Sequence, residues 1–230
     1  MVVSRIYGVL LFAICALGSA LPVMGQTALP SAELPAFKVG ESWKFRTHNL
    51  GDKQEPGWYV NTVHEAGDKH VVLYGENSVP TKFWWFREVA TAKLLMRFNY
   101  SETAPNKRGA KTRDISAEDA TLQFPLQVGK KWTFKQNWTN SSGEPGSSDV
   151  KVEVTAYEKV KTEAGEYDAF KIEEKGWWKN LQSNVTGRQS QTLWYAPAVK
   201  RTVKSESKDF HSQGQLWNHR TEELLEYKPG

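Results

Sequence analysis

Residues 39–46 read VGESWKFR, and residues 128–135 read VGKKWTFK. Each is a glycine turn followed by large apolar side chains alternating with polar ones, the period of a half-buried strand. In the first copy the alternation runs on through ESWKFRTHN (41–49), which sets Trp43, Phe45 and Thr47 on one side. Two further words recur in the same order. Glu65-Ala66-Gly67-Asp68 is echoed by Glu163-Ala164-Gly165-Glu166, and Phe83-Trp84-Trp85-Phe86 with Val89 by Leu193-Trp194-Tyr195-Ala196 with Val199. The offset grows from 89 to 98 to 110 residues, as expected of a duplication whose second copy has longer loops.

Around these words the chain is a succession of strand-like runs. GWYVNTVHE (57–65) and KHVVLYGEN (69–77) flank an AGD turn as a hairpin. The second half reads as SDVKVEVTAYEKVKT (148–162), YDAFKIEEKGWWKN (167–180), VTGRQSQTLWYAP (185–197), VKRTVKSESKDF (199–210) and QLWNHRTEELLEYK (215–228). No stretch of helical period outcompetes these alternations. The expected fold is all-β: an antiparallel meander, sandwich or half-barrel built from two similar units. Unit 1 covers 37–100, unit 2 covers 121–230, and the polar stretch 101–120 is a linker or loop.

The first 25 residues have a basic start at Arg5, an apolar run and small residues suited to a peptidase, which is the pattern of a secretory signal peptide. Residues 26–36 form an extended leader with two prolines. A periplasmic location follows as the expectation, with no membrane span after cleavage, because no later window approaches the roughly 20 apolar residues a span requires. Cys15 is the only cysteine, so the exported chain holds none, and thiol chemistry, disulfides and thiolate metal sites are excluded. Thirty basic against 26 acidic residues, dispersed along the chain, give no run that would single out nucleic acid as a partner.

FPLQVGKKWTF (124–134), TEAGEYDAFKI (162–172) and LWYAPAVKRTVKSE (193–206) resemble exported proteins of unknown function from Gram-negative bacteria, in which such words recur in this order. The resemblance covers residues 120–228. It implies a periplasmic all-β domain and brings no catalytic residues with it. The WYAP segment is also loosely similar to the half-barrel lipoprotein carriers of the periplasm, whose curved sheet cups acyl chains, although this chain lacks their lid helix.

No motif for catalysis stands out. No convincing GxSxG, HExxH or Ser-x-x-Lys context is present, and the adjacent acids Glu173-Glu174 and Glu222-Glu223 would point to opposite faces of a strand. His64 and His70 flank the AGD turn and would face each other, but no third ligand is indicated. The expectation is a protein that is not an enzyme, with no metal and no cofactor.

Tryptophan is the informative residue, with ten in the chain. Trp43, Trp132 and Trp194, at echoed sites, read as core. The doublets Trp84-Trp85, in KFWWFRE (82–88), and Trp177-Trp178, in KGWWKN (175–180), put one ring on each face of a strand. The first expectation is that packing covers both faces. The alternative is a groove lined by Trp84, Trp178 and Tyr195, with Trp85 and Trp177 beside them and Lys82, Arg87, Lys175 and Arg188 near enough to meet an acidic headgroup. The function expected is a non-catalytic binding or carrier protein for an amphipathic or glycan ligand of the cell envelope. The other reading is an envelope assembly protein that binds a partner protein through an exposed strand or aromatic patch.

Overall fold

The computed structural model describes residues 30–51, 55–67, 70–78, 82–88, 93–100, 113–114, 121–139 and 143–230; at 70, 82–88, 93–100, 113–114 and 139 it describes the backbone alone. The expected signal peptide, most of the 101–120 linker, and the side chains of Lys82, Trp84, Trp85 and Arg87 therefore lie outside the described residues. The first half supplies β2 (Ser42–Asn49), β3 (Gly57–Ala66), β4 (His70–Asn77), β5 (Lys82–Glu88), β6 (Lys93–Tyr100) and β7 (Arg113–Asp114). The second supplies β9 (Lys131–Thr139), β10 (Pro145–Thr162), β11 (Gly165–Asn180), β12 (Thr186–Ala196), β13 (Arg201–His211) and β14 (Leu216–Lys228). β1 (Ser31–Ala32) and β8 (Leu126–Gln127) pair separately as a short two-stranded ladder.

The other twelve strands form one antiparallel sheet in the order β7-β6-β5-β4-β3-β2-β14-β13-β12-β11-β10-β9. Each half is a meander of sequential neighbours, and the halves meet where β14 pairs with β2. The all-β reading is thus realised as one continuous open sheet, with no ladder joining β7 to β9 among the described residues.

The two echoed glycine words make the same turn. Gly40 and Gly129 adopt φ of 91° and 89°, a region that favours glycine. Gly40 N–H donates to Val63 O at 2.9 Å and Val63 N–H to Glu41 O at 2.8 Å; Gly129 N–H donates to Val154 O at 2.8 Å and Val154 N–H to Lys130 O at 2.9 Å. Both acceptor strands are bulged immediately afterwards, β3 between Val63 and Glu65 and β10 between Val154 and Ala156. A bulge adds a residue and sharpens local twist, so each meander bends at the same point. The first bulge also corrects the histidine expectation. Ala66 pairs with Val71 and Glu65 with Val72, so His64 falls at the bulge and His70 beyond the end of the β3 ladder, and the two do not face each other.

The bend in β10 shapes the molecule. β9 flanks β10 only as far as Glu153, and β12 flanks β11 only from Phe170, so among the described residues the end of the long hairpin has no strand on either side. It turns across the sheet instead. Ala164 N–H donates to Leu224 O at 3.3 Å, Glu163 N–H to Glu223 Oε1 at 2.9 Å, and Arg46 pairs with Glu163 at 2.7 Å. Val160 and Ala169 of this hairpin join Trp43, Phe45, Val63, Leu73, Val203 and Leu224 in one core cluster. A second cluster fills the sheet face over β9–β12, where Trp132, Phe134, Val150, Val152, Val154, Phe170 and Ile172 are covered by Ala32, Leu122 and Leu126 from the β1–β8 region.

Where the two halves join, Glu41 is only 2% exposed, and its carboxylate pairs with Lys200 and accepts from Tyr227 Oη at 3.2 Å and Lys38 N–H at 3.0 Å. Trp43 Nε1–H donates to Val199 O at 2.8 Å from the neighbouring β12–β13 turn, and the Trp43 ring stacks on Tyr227. Lys200→Met leaves Glu41 buried without its cation, which should cost about 3 kcal/mol. A denaturant titration reads this as a lower midpoint at unchanged slope.

Candidate functional site

Cross-strand register defines the rows of the face that carries Trp43 and Phe45. One row runs Gln136, Ser148, Trp178, Gly187, His211; the next Phe134, Val150, Gly176, Gln189, Asp209, Asn218; the third Trp132, Val152, Glu174, Gln191, Ser207, Arg220. The rows turn from apolar to polar as they leave β9 and β10. The hairpin and β1–β8 seal the apolar part, and the described residues leave the polar part open.

The open part has two adjoining chambers that share Gln189. The inner one, about 320 Å³, is lined from β9 to β3, including Phe134, Gln136, Glu174, Gln191, Arg201, Ser205, Glu222, Tyr59 and Phe45. Residues from the edge strand β9 and from β3, far along the strand order, line one space because the sheet is curled. The outer one, about 530 Å³, is lined by Trp138, Ser148, Trp178, Asn180, Ser183, Val185, Gln189, Asp209, His211 and Trp217.

The outer chamber is built on aromatic rings seated over glycines. A Cβ on Gly146 would lie 2.1 Å from Cη2 of Trp138, and one on Gly187 would lie 2.3 Å from Cζ2 of Trp178, so each ring rests against the backbone of the neighbouring strand. Trp138 Nε1–H donates to Ser148 Oγ at 3.0 Å, and Ser148 Oγ donates to Gln189 Oε1 at 3.3 Å. The Trp178 ring meets His211 and Trp217 edge to face, with centroids at 6.5 and 6.2 Å, while His211 and Trp217 stack at 5.8 Å and 28°. Trp217 is 53% exposed. Asp209 accepts from Asn218 Nδ2 at 2.8 Å, and its burial raises its pKa above the ordinary range despite that bond.

The inner chamber holds charge. Tyr59 Oη donates to Glu222 Oε2 at 3.3 Å, and Arg220 Nη2 donates to the other carboxylate oxygen. The Arg201 guanidinium lies 5.0 Å from the Trp43 ring centroid and 5.6 Å from that of Phe45, held by cation–π attraction. Glu174 is 7% exposed, and the loss of water around its buried carboxylate raises its pKa to about 7; it has no hydrogen-bond partner among the described residues.

The structure separates the residues singled out from sequence. Trp178 enters the outer chamber, whereas Trp177 lies on the opposite face and is 58% exposed, so packing does not cover both sides of this doublet. Tyr195 belongs to the core: it is 3% exposed and packs edge to face on Phe124 at 5.5 Å, and burial pushes its pKa upward. Trp43 and Trp132 are buried, and Trp194 is half-buried with its Nε1–H donated to Glu158. For the other doublet the register alone is described: Trp84 pairs with Tyr74 and Trp85 with Leu73. Sequence reasoning missed Glu174, Gln189, Gln191, Asp209 and Trp217. The signal was the parity of β11, where Glu174, Gly176 and Trp178 alternate onto one face.

Solved structures share this architecture. A candidate lipoprotein from Parabacteroides distasonis matches with a TM-score of 0.50 at 13% identity, over 86% of this chain and 99% of that one. A candidate exported protein with YmcC-like fold from Bacteroides fragilis gives 0.49 at 17% identity over 86% and 99% of the two chains. The hypothetical lipoprotein YmcC from Escherichia coli gives 0.45 at 8% over 83% and 85%. No family profile and no curated protein matches the chain. Among the described residues no helix is long and apolar enough to cross a membrane.

Glu174 sets a pH dependence of stability. A carboxyl whose folded pKa is about 7 against an ordinary 4.5 holds its proton more tightly in the folded state. Its contribution is therefore fully present below 4.5, declines as pH rises, and is gone above about 7, a loss of about 3 kcal/mol. Glu174→Gln should remove this component and be the more stable protein at alkaline pH. Denaturant midpoints measured across this window for both proteins check the direction.

Proposed function

We propose that the chain is an exported, non-catalytic binding protein of the periplasmic envelope whose curled sheet holds an amphipathic or glycan ligand in the two adjoining chambers. One observation carries the reading: three rings, Trp178, His211 and Trp217, form a half-open cluster at the mouth of a polar cavity that the described residues do not fill. Binding sites of this kind pair apolar or aromatic walls with a few polar groups that fix orientation. The exported and lipoprotein descriptions of the structural relatives agree with the location and do not bear on the ligand.

Of the two ligand classes, the lining favours the glycan. An acyl chain reaching past Gln189 would strip water from Glu174, Gln136 and Gln191 without replacing its hydrogen bonds, and each such group left unpaired costs about 1–3 kcal/mol. A sugar supplies hydroxyls to those groups and C–H faces to the rings at the mouth. An assembly partner joining through an exposed strand has less support, because the edge strand β9 carries Lys131 and Lys135, charges that oppose strand addition.

Native mass spectrometry of the mature protein from a periplasmic extract should reveal a discrete adduct of saccharide mass. Trp178→Ala should lose it while keeping its fold. Gly187→Ala should lose it as well, since the new Cβ would lie 2.1 Å from Phe210 O and displace the Trp178 ring. An adduct of fatty-acyl mass would sink the glycan assignment, and a bare parent protein would sink the carrier reading.

A further inference from the structure

The opposite face of the same strands carries a second feature, independent of the chambers. Trp177 stands out from β11 at 58% exposure, between Asp149 of β10 and Arg188 of β12 in the cross-strand register. Lys175 and Lys179 flank it two residues away on its own strand and so share its face. Lys151 pairs with Lys175, and Lys135 pairs with Asp149, which brings five cations and one acid around a single exposed indole. At the margin Arg188 lies 5.9 Å from the Phe210 ring, and Leu216, opposite Phe210 in the register, is 45% exposed.

Several outward lysines elsewhere are neutralised. Lys131 pairs with Glu153, Lys159 with Glu166 and Asp168, Lys208 with Glu206, and Lys228 with Glu226. Within the patch only Lys175 has such a partner, Glu173 at 3.1 Å, while Lys135, Lys151, Lys179 and Arg188 have none among the described residues. Unneutralised cations set around a large exposed apolar ring match a surface that presents phosphate oxygens above hydrocarbon, where indole sits at the headgroup level and basic side chains reach the anions. A second copy of the chain is disfavoured, because two such patches would repel.

We infer that this face docks on a phospholipid bilayer bearing anionic headgroups, with Trp177 entering the headgroup region. The chambers then face away from the bilayer, open to a ligand in solution.

The test is flotation of the mature protein with vesicles of phosphatidylcholine alone and of phosphatidylcholine with phosphatidylglycerol. The protein should float with the anionic vesicles only, and added salt should weaken the binding. Neutralising Lys175→Gln and Lys179→Gln together should lower partitioning about thirtyfold, and Trp177→Ala about tenfold, with Trp177→Phe recovering part of it. These side chains are exposed, so the variants should unfold at the parent's midpoint, which assigns any loss to docking. Equal binding to neutral vesicles, indifference to all three variants, or failure of the parent to float would overturn the inference. So would preferential capture by poly-glutamate, which would indicate an acidic protein partner, or a dimer that shields Trp177 from an aqueous quencher. Loss of saccharide binding would leave it untouched.

Discussion

The backbone hydrogen bond from Ala164 N–H to Leu224 O marks the constraint on which the architecture depends, because it fixes the end of the β10–β11 hairpin across the sheet. A twelve-stranded sheet that stayed open and flat would leave its apolar face in water. The bulge between Val154 and Ala156 redirects the hairpin, and Val160 and Ala169 then cap the Trp43 cluster. Sealing is achieved at that end and under the β1–β8 segment, with nothing equivalent among the described residues over Trp178 and Glu174. The chambers are what remains of a curved sheet once its own chain has covered the apolar part.

That division explains the distribution of ionisable groups. Glu41 is as buried as any core residue, yet it is surrounded by Lys200, Tyr227 and a backbone N–H, so its charge is met within the fold. Glu174 is nearly as buried and is met by nothing on the described chain, and it lines a cavity. A buried carboxyl without partners is costly, and groups of this kind concentrate at functional sites. The contrast between the two acids is stronger evidence for a binding chamber than the volume of the cavity.

The strand content was legible because alternation is a local property. VGESWKFR and VGKKWTFK identified a glycine turn and an inward Trp, and the structure puts Gly40 and Gly129 in matching turns with Trp43 and Trp132 buried. The pairing of β14 with β2 was not legible, since it joins the two ends of the chain and no local pattern encodes it. Tyr195 was misjudged for a related reason. Parity along β12 is unbroken and puts Tyr195 on the same face as Trp178, but Phe124, from a segment far away in sequence, covers it there; the bulge opposite Trp194 and Tyr195 adds its residue to β13. Parity is reliable only between bulges, and a bulge is decided by the partner strand as much as by its own sequence.

The doublet Trp177-Trp178 shows what parity can and cannot decide. Two adjacent indoles in an unbulged stretch must occupy opposite faces, and they do. Whether each face is covered depends on elements far away in sequence: the hairpin end and the β1–β8 ladder stop short of Trp178, and nothing in the described chain reaches Trp177. The indole, 58% exposed, stands on that face between Lys175 and Lys179, so its surroundings are charged rather than apolar. The two rings, one beside a polar cavity and one amid cations, thus present two different chemical surroundings on the two sides of one sheet.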